Sequence, residues 1–243
     1  MSILYQIFGA IMRQIYEFII TIGQEPKTIS YFAITILLMA VLNKLITLPL
    51  TLRQARASKK MQDINPQLEA LKKRYGYDER ILQQKTMEFY KENKVSQVGC
   101  SSCLPMVIQL IIVLALFGIM RNPEQYLFDD PGMFAHIQKN FLWIQDLSLA
   151  DPYWFALPLL NSASQILVSL LNPQMQQSQA AGGSSASSMR MMTYMMPVVF
   201  FFVFVNFQAA LLLYWGFGNL LEVSIRLISR LFMRKTEPEP DRR

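Results

Sequence analysis

Residues 31–52 read YFAITILLMAVLNKLITLPLTL, a nearly apolar run with one charge, Lys44. Coiled into a helix rising about 1.5 Å per residue, the run crosses a hydrocarbon core about 30 Å thick. A segment of this kind has few homes outside a membrane. Lys44 lies about 13 Å of helix before Arg53, where a polar, basic sequence begins. A cation at that depth costs at least about 2.5 kcal/mol on insertion scales, so it faces a bundle interior or a wet cavity, or threads its stem to the headgroups. Thr47 and Thr51 follow Lys44 at helical spacing, and Asn43 is its neighbour. The segment therefore carries either a positively charged polar groove or a snorkelling lysine.

The composition agrees with the membrane class: 52% apolar and 16% charged over 243 residues, with a net charge of +6. No GxxxxGK[ST] loop is present, which argues against nucleotide hydrolysis. His136 is the one histidine, so histidine-based zinc and hydrolase sites lack their usual parts. Intramembrane aspartate pairs and Ser/His or Ser/Lys dyads are missing as well, so no catalytic residue, metal ligand or cofactor is assigned. Cys100 and Cys103 form a CxxC at the start of an apolar span, without a second ligand pair. Small-residue packing explains them better than redox or metal chemistry.

Residues 1–28 open with an i, i+3, i+4 apolar stripe (Ile3, Ile7, Ile11, Ile15 and their neighbours), with Gln6, Arg13, Gln14 and Glu17 off it. They are expected to form an amphipathic interfacial helix on the outer face and a turn, with a degenerate span as the alternative. Residues 29–52 are the first span. Residues 53–98 carry eleven basic residues against six acidic ones and read as a helical hairpin. Asn65-Pro66 is expected to start one arm, Gly76 to end it, and Asp78 to cap the next. The basic excess places this hairpin in the cytoplasm. It is either a topology anchor or a docking surface, built on Lys59, Lys60, Lys72, Lys73 and Arg74, for an anionic partner such as the ribosome or lipid headgroups.

Residues 99–232 are expected to hold spans two to five, at about 103–120, 153–171, 191–205 and 210–228. The loop at 121–152 is acidic and therefore outside. A Gln/Ser/Gly-rich cytoplasmic linker is expected at 172–190 and a short cytoplasmic tail at 233–243. The fold class is thus all-α: five transmembrane helices, a cytoplasmic hairpin and an N-terminal interfacial helix, with the N-terminus outside. Polar side chains recur within the spans: Asn43, Lys44 and Thr47; Gln109; Asn161 and Gln165; Asn219 and Glu222. Interhelical bonding explains isolated Asn and Gln, whereas a shared polar cavity explains the whole set. Glu222 is spaced to pair with Arg226, and a Glu222–Lys44 pair requires helix tilt.

The chain resembles the YidC/Oxa/Alb family of membrane protein insertases over about residues 25–232. The resemblance rests on Asn43-Lys44 through Pro49-Leu50-Thr51; Lys60-Met61, Ile64, Pro66, Leu71, Arg74-Tyr75, Tyr90 and Val95; and Cys103-Leu-Pro105 with Gln109. It extends to Leu142-Trp143-Ile144, Asp146-Leu147, Asp151-Pro152-Tyr153, Leu157-Pro158, Met195-Met-Pro197, and Leu213-Tyr214-Trp215 with Asn219. It implies a five-span core and a hydrophilic groove open to cytoplasm and lipid but closed to the outside. Through that groove the short polar flanks of nascent membrane proteins pass without nucleotide hydrolysis. It also implies residence in the bacterial inner membrane, nascent membrane proteins and the phospholipid bilayer as partners, and the ribosome and the Sec translocon as candidate partners. No small-molecule substrate is implied.

Several features depart from the family pattern. Lys44 stands where arginine is usual, which keeps the charge and loses the bidentate fork. The stretch Gly99–Cys103 is longer than usual. A large extracytoplasmic domain and a lipobox cysteine are absent from the sequence, and the tail is short. Two rival readings of the polar spans are a small-solute channel or transporter and a structural assembly chaperone.

Overall fold

A computed structural model of the protein describes residues 2–93, 99–128, 132–172 and 183–235. Its regular structure is helical throughout, with only isolated bridges outside the helices. The chain runs α1 (Ser2–Ile22), α2 (Tyr31–Tyr75), α3 (Glu79–Glu92), α4 (Gly99–Arg121), α5 (Pro123–Tyr126) and α6 (Met133–His136). It continues as α7 (Ala156–Leu170), α8 (Gly183–Phe204) and α9 (Ala209–Lys235). Among the described residues, three stretches are long and apolar enough to cross a membrane: Ile3–Ile22, Tyr31–Arg53 and Ala209–Ser229. Val107–Arg121, Ala156–Leu170 and Tyr194–Phe204 are shorter apolar helical stretches.

The sequence expectations are corrected at three places. Residues 29–52 and the first basic arm are not separate elements: α2 is one helix of 45 residues. Pro66 does not start a helix after an Asn65 cap, because both Pro49 and Pro66 lie inside α2. Each proline removes one backbone donor, and both rings sit on exposed sides of the helix. Thr47 and Thr51 hydroxyls donate to the carbonyls of Asn43 and Thr47, 2.8 and 3.2 Å away, around the first of these prolines. Finally, residues 183–190, expected as linker, belong to α8.

Other local signals hold. Gly76 follows α2, and the Asp78 carboxylate accepts from the Arg80 and Ile81 amides to cap α3. Residues 205–208 form the tight turn between α8 and α9. The expected calls on Lys94, Val95, Asp129, Asp130, residues 173–182 and the tail from 236 onward fall outside the described residues, as do the side chains of Lys59, Cys100 and Cys103.

The core lies where α2, α4, α7 and α9 meet near the end that carries residues 121–155, the loop end. Phe32, Ile119, Leu127, Ile144, Leu147 and Leu212 are almost fully buried there. The loop itself supplies the hydrogen bonds that helix starts lack. Ser30 caps α2 by accepting from the Ala33 amide at 3.1 Å, and its own amide donates to the Asn140 carbonyl at 2.9 Å. The Ala209 and Ala210 amides at the start of α9 donate to the Leu149 and Leu147 carbonyls, at 2.7 and 2.8 Å. Asp151 accepts from the Leu157 amide in the first turn of α7, and also from the Tyr153 amide and the Trp143 indole. Trp143, expected in an interfacial belt, is half-buried and tied to Asp151, whereas Tyr153 and Trp154 are exposed.

The amphipathic α1 lies across this same end. Tyr5 and Tyr16, about 16 Å apart along the helix, both meet the short segment after α4. Tyr5 packs edge-on to Tyr126 and Tyr16 to Phe128, each at 5.4 Å between ring centroids. Met12 is fully buried between them. The crossing is tight at Gly9, where an added Cβ would stand 2.0 Å from the Tyr126 carbonyl oxygen. Because the obstacle is backbone, Gly9→Ala is expected to lift α1 from its seat and remove about 1–3 kcal/mol of stability. Thermal unfolding in detergent checks this against Gly23→Ala, since nothing lies within 4 Å of a Cβ at Gly23. Equal midpoints for the two variants would show that α1 is not seated on Tyr126.

Candidate functional site

Lys44 is held by geometry that runs along α9. Tyr214, Gly218, Glu222 and Arg226 recur at i+4 and form one stripe of that helix. Asn43, next to Lys44 on α2, donates from Nδ2 to the Tyr214 hydroxyl at 2.9 Å. Lys44 instead reaches Glu222, about 12 Å further along α9. Its Nζ stands 3.1 Å from Glu222 Oε2. The lysine stem passes over Gly218, where an added Cβ would lie 3.8 Å from Lys44 Cε. The Lys44–Glu222 pair, left open by the sequence, is formed.

Glu222 has a second partner. Arg226 Nε lies 2.7 Å from Glu222 Oε1. The two carboxylate oxygens are thus divided between two cations, and the cluster carries one net positive charge. The side chains are 17% exposed for Lys44, 11% for Glu222 and 20% for Arg226. The charges are shielded but reachable from outside the bundle. Next to Lys44 in the chain, Leu45 and Ile46 are largely exposed.

The remaining polar residues belong to a second seam, between α7 and α9. Asn161 is buried and donates to the Leu157 and Leu212 carbonyls, both at 3.0 Å. It fits against Gly216, where a Cβ would lie 3.2 Å from Asn161 Nδ2. Asn219 donates to Ser164 Oγ at 3.0 Å and to Gln165 Oε1 at 3.2 Å. α9 therefore stands between two seams: Asn43, Lys44, Thr47 and Glu222 gather on its α2 side, and Asn161, Gln165 and Asn219 on its α7 side. Gln109 on α4 is half-buried, and no hydrogen bond among the described residues joins it to either group. Arg226, Tyr214 and Ser164 complete the seams. The i+4 stripe on α9 is the sequence signal that points to the first two, whereas Ser164 carries no such mark.

The basic arm buries Ile64 and Leu68 and exposes most of its described cations. Lys60, Lys73 and Arg74 point to solvent, Lys72 is half-buried, and Tyr77 at the bend is 80% exposed. On α3, the Glu88 carboxylate bonds Lys85 at 2.7 Å and raises the pKa of that ammonium, while burial raises that of the Tyr90 hydroxyl. Groups of three or more metal-ligating side chains do not occur among the described residues.

Comparison with known proteins identifies the family. The profile of a family described as 60Kd inner membrane protein matches residues 25–236. The chain belongs to this family. Its relatives include proteins named membrane protein insertase YidC. That of Clostridium perfringens is 35% identical over 217 residues, covering 89% of this chain and 85% of the relative. That of Fusobacterium nucleatum is 36% identical over 168 residues, covering 69% and 72%. That of Leptospira interrogans is 34% identical over 233 residues, covering 93% of this chain, which spans 34% of that relative's length. The family profile takes in both seams and the basic arm, and it begins after the end of α1.

The division of Glu222 between two cations makes the cost of its removal asymmetric. Glu222→Leu leaves Lys44 and Arg226 facing each other without a counter-ion and is expected to destabilise by about 3 kcal/mol. Lys44→Leu leaves Glu222 on Arg226 and is expected to remove only about 1 kcal/mol. The double variant should recover most of the loss seen in Glu222→Leu. Unfolding in detergent measures all three, and equal losses for the two single variants would show that Arg226 does not share the carboxylate.

Proposed function

We propose that this chain is a membrane protein insertase of the bacterial inner membrane. Its clients are nascent membrane proteins, and the surrounding bilayer is its second partner. The observation that carries the reading is a reachable, net-positive ion cluster within an apolar helix seam, in a chain whose family contains proteins named membrane protein insertase. Five spans are proposed: the apolar part of α2, then α4, α7, α8 and α9. The N-terminus is outside, with α1 in the outer interface, and the basic arm of α2 and α3 forms a cytoplasmic hairpin.

In this reading the polar flank of a client enters the α2/α9 seam from the cytoplasmic side. Moving such a flank through hydrocarbon unaided leaves its polar groups unsatisfied. The seam offers donors and charge over part of that distance, and Lys44 attracts a carboxylate on the flank. Leu45 and Ile46, exposed beside the cluster, offer an apolar surface to the hydrophobic segment of the same client. Burial of that segment in lipid drives completion, so nucleotide hydrolysis is not required. The bonds within the α7/α9 seam suit helix adhesion, so Asn161, Gln165 and Asn219 support the groove rather than contact a client. The basic hairpin, including Lys60, Lys73 and Arg74, is the proposed docking surface for the ribosome. The Sec translocon is a further proposed partner.

The test is insertion of a single-span client with an acidic outer flank into liposomes, with and without the full chain. Lys44→Ala is expected to lower insertion about fivefold, the factor carried by about 1 kcal/mol, and Lys44→Arg to restore it. Insertion by the wild type that ignores Lys44 would remove the charge from the mechanism. Absence of insertion, with solute flux across the vesicles, would favour a channel. Absence of both would favour an assembly chaperone.

A further inference from the structure

Lys44 is not a bare charge waiting for a client. Its ammonium is already bonded to Glu222, and any carboxylate on a client must compete with that one. The geometry of Glu222 makes such competition feasible. One oxygen, Oε2, holds Lys44 at 3.1 Å, while the other, Oε1, holds Arg226 at the shorter distance of 2.7 Å. Arg226 engages through Nε, and the rest of its donor fork can take both oxygens of one carboxylate side by side. Glu222 can therefore leave Lys44 without becoming an unpaired buried charge, which would otherwise make the exchange prohibitive. Lys44 presents three donors on a flexible stem and suits a partner that changes, whereas a guanidinium fork suits one that stays.

We propose, resting on the insertase reading above, that Glu222 is a specificity-determining internal competitor. At rest its carboxylate occupies Lys44. When the acidic flank of a client arrives, the client's carboxylate takes Lys44 and Glu222 passes wholly to Arg226. A neutral flank cannot drive this exchange, and a basic flank is opposed by the net positive cluster. Glu222 thus sets the threshold of acidity at which a flank is accepted, and Arg226 sets how readily Glu222 yields. No covalent step is involved: two ion pairs exchange one partner.

The readout is the ratio of acidic-flank to neutral-flank insertion, measured with the full chain in liposomes on two clients that differ only in the flank. Glu222→Gln is expected to raise the ratio about fivefold, since Lys44 then has no internal carboxylate. Arg226→Gln is expected to lower it, because Glu222 then holds to Lys44 alone. The double variant E222Q/R226Q has the same net charge as the wild type. It should keep the raised ratio, whereas a general field effect would return it to the wild-type value. A wild-type ratio in the double variant overturns the exchange. So does a ratio that falls in Glu222→Gln, or one that stays unchanged in all three variants. If Glu222→Gln is too unstable to reconstitute, a ratio in Arg226→Gln that does not fall overturns it equally. Failure of the wild type to insert either client would overturn the insertase reading itself, a result distinct from insertion with an unchanged ratio.

Discussion

Every helix start exposes backbone N–H groups that its own helix cannot satisfy, and apolar surroundings offer no water to replace them. The rest of the bundle depends on how this constraint is met. α2, α7 and α9 all begin at the loop end, and residues 137–151 serve all three. Asn140 receives the Ser30 amide, the Leu147 and Leu149 carbonyls receive the first amides of α9, and Asp151 receives the amide of Leu157. One loop thus sets the relative height of three helices. Height is what lets the Lys44 side chain, passing over Gly218, come within 3.1 Å of the Glu222 carboxylate on α9.

With heights fixed, side-chain size decides what lies in each seam. Gly216 admits Asn161 on one side of α9, and the Lys44 stem passes in ordinary contact with Gly218 on the other. Small residues let polar groups reach carbonyls and carboxylates on neighbouring helices, so that polar side chains bind the helices together. The two seams nonetheless differ in kind. Asn161 is almost fully buried and bonds backbone carbonyls, which cannot move away. Lys44 bonds a side chain that has a second partner, and both remain partly exposed. A fixed seam and an exchangeable one share a single helix.

Much of this was legible in the sequence, because hydropathy, charge placement and turn residues act locally. The apolar run around Lys44, the Gly76–Asp78 bend, the tight turn at 205–208 and the spacing of Glu222 to Arg226 all follow from short-range rules. Pro66 misled because a proline is a strong local signal for a helix start, whereas an exposed ring on an otherwise helix-favouring segment is tolerated in the interior. The start of α8 at Gly183 was hidden by a Ser- and Gly-rich composition that reads as linker. The Lys44–Glu222 pair could be named only as an option, since the register between α2 and α9 comes from a loop distant from both residues. Gln109 shows the converse: a polar residue inside an apolar helix that joins neither seam.

The continuity of α2 gives Lys44 a long handle. From Lys44 to the bend at Tyr75 the same helix runs for about 46 Å, well beyond the apolar part. A body of that length turns a small rotation into a large excursion at its far tip and, in reverse, turns a large push at the tip into a small, forceful motion near the pivot. The loop end is clamped, so the pivot lies on that side, and Lys44 sits on the short arm. Pro49 and Pro66 each interrupt the hydrogen-bond ladder between the charge and the tip, and at such points a helix bends most readily. Arg74, near the far tip, thus stands on the same continuous helix as Lys44, with two such points between them.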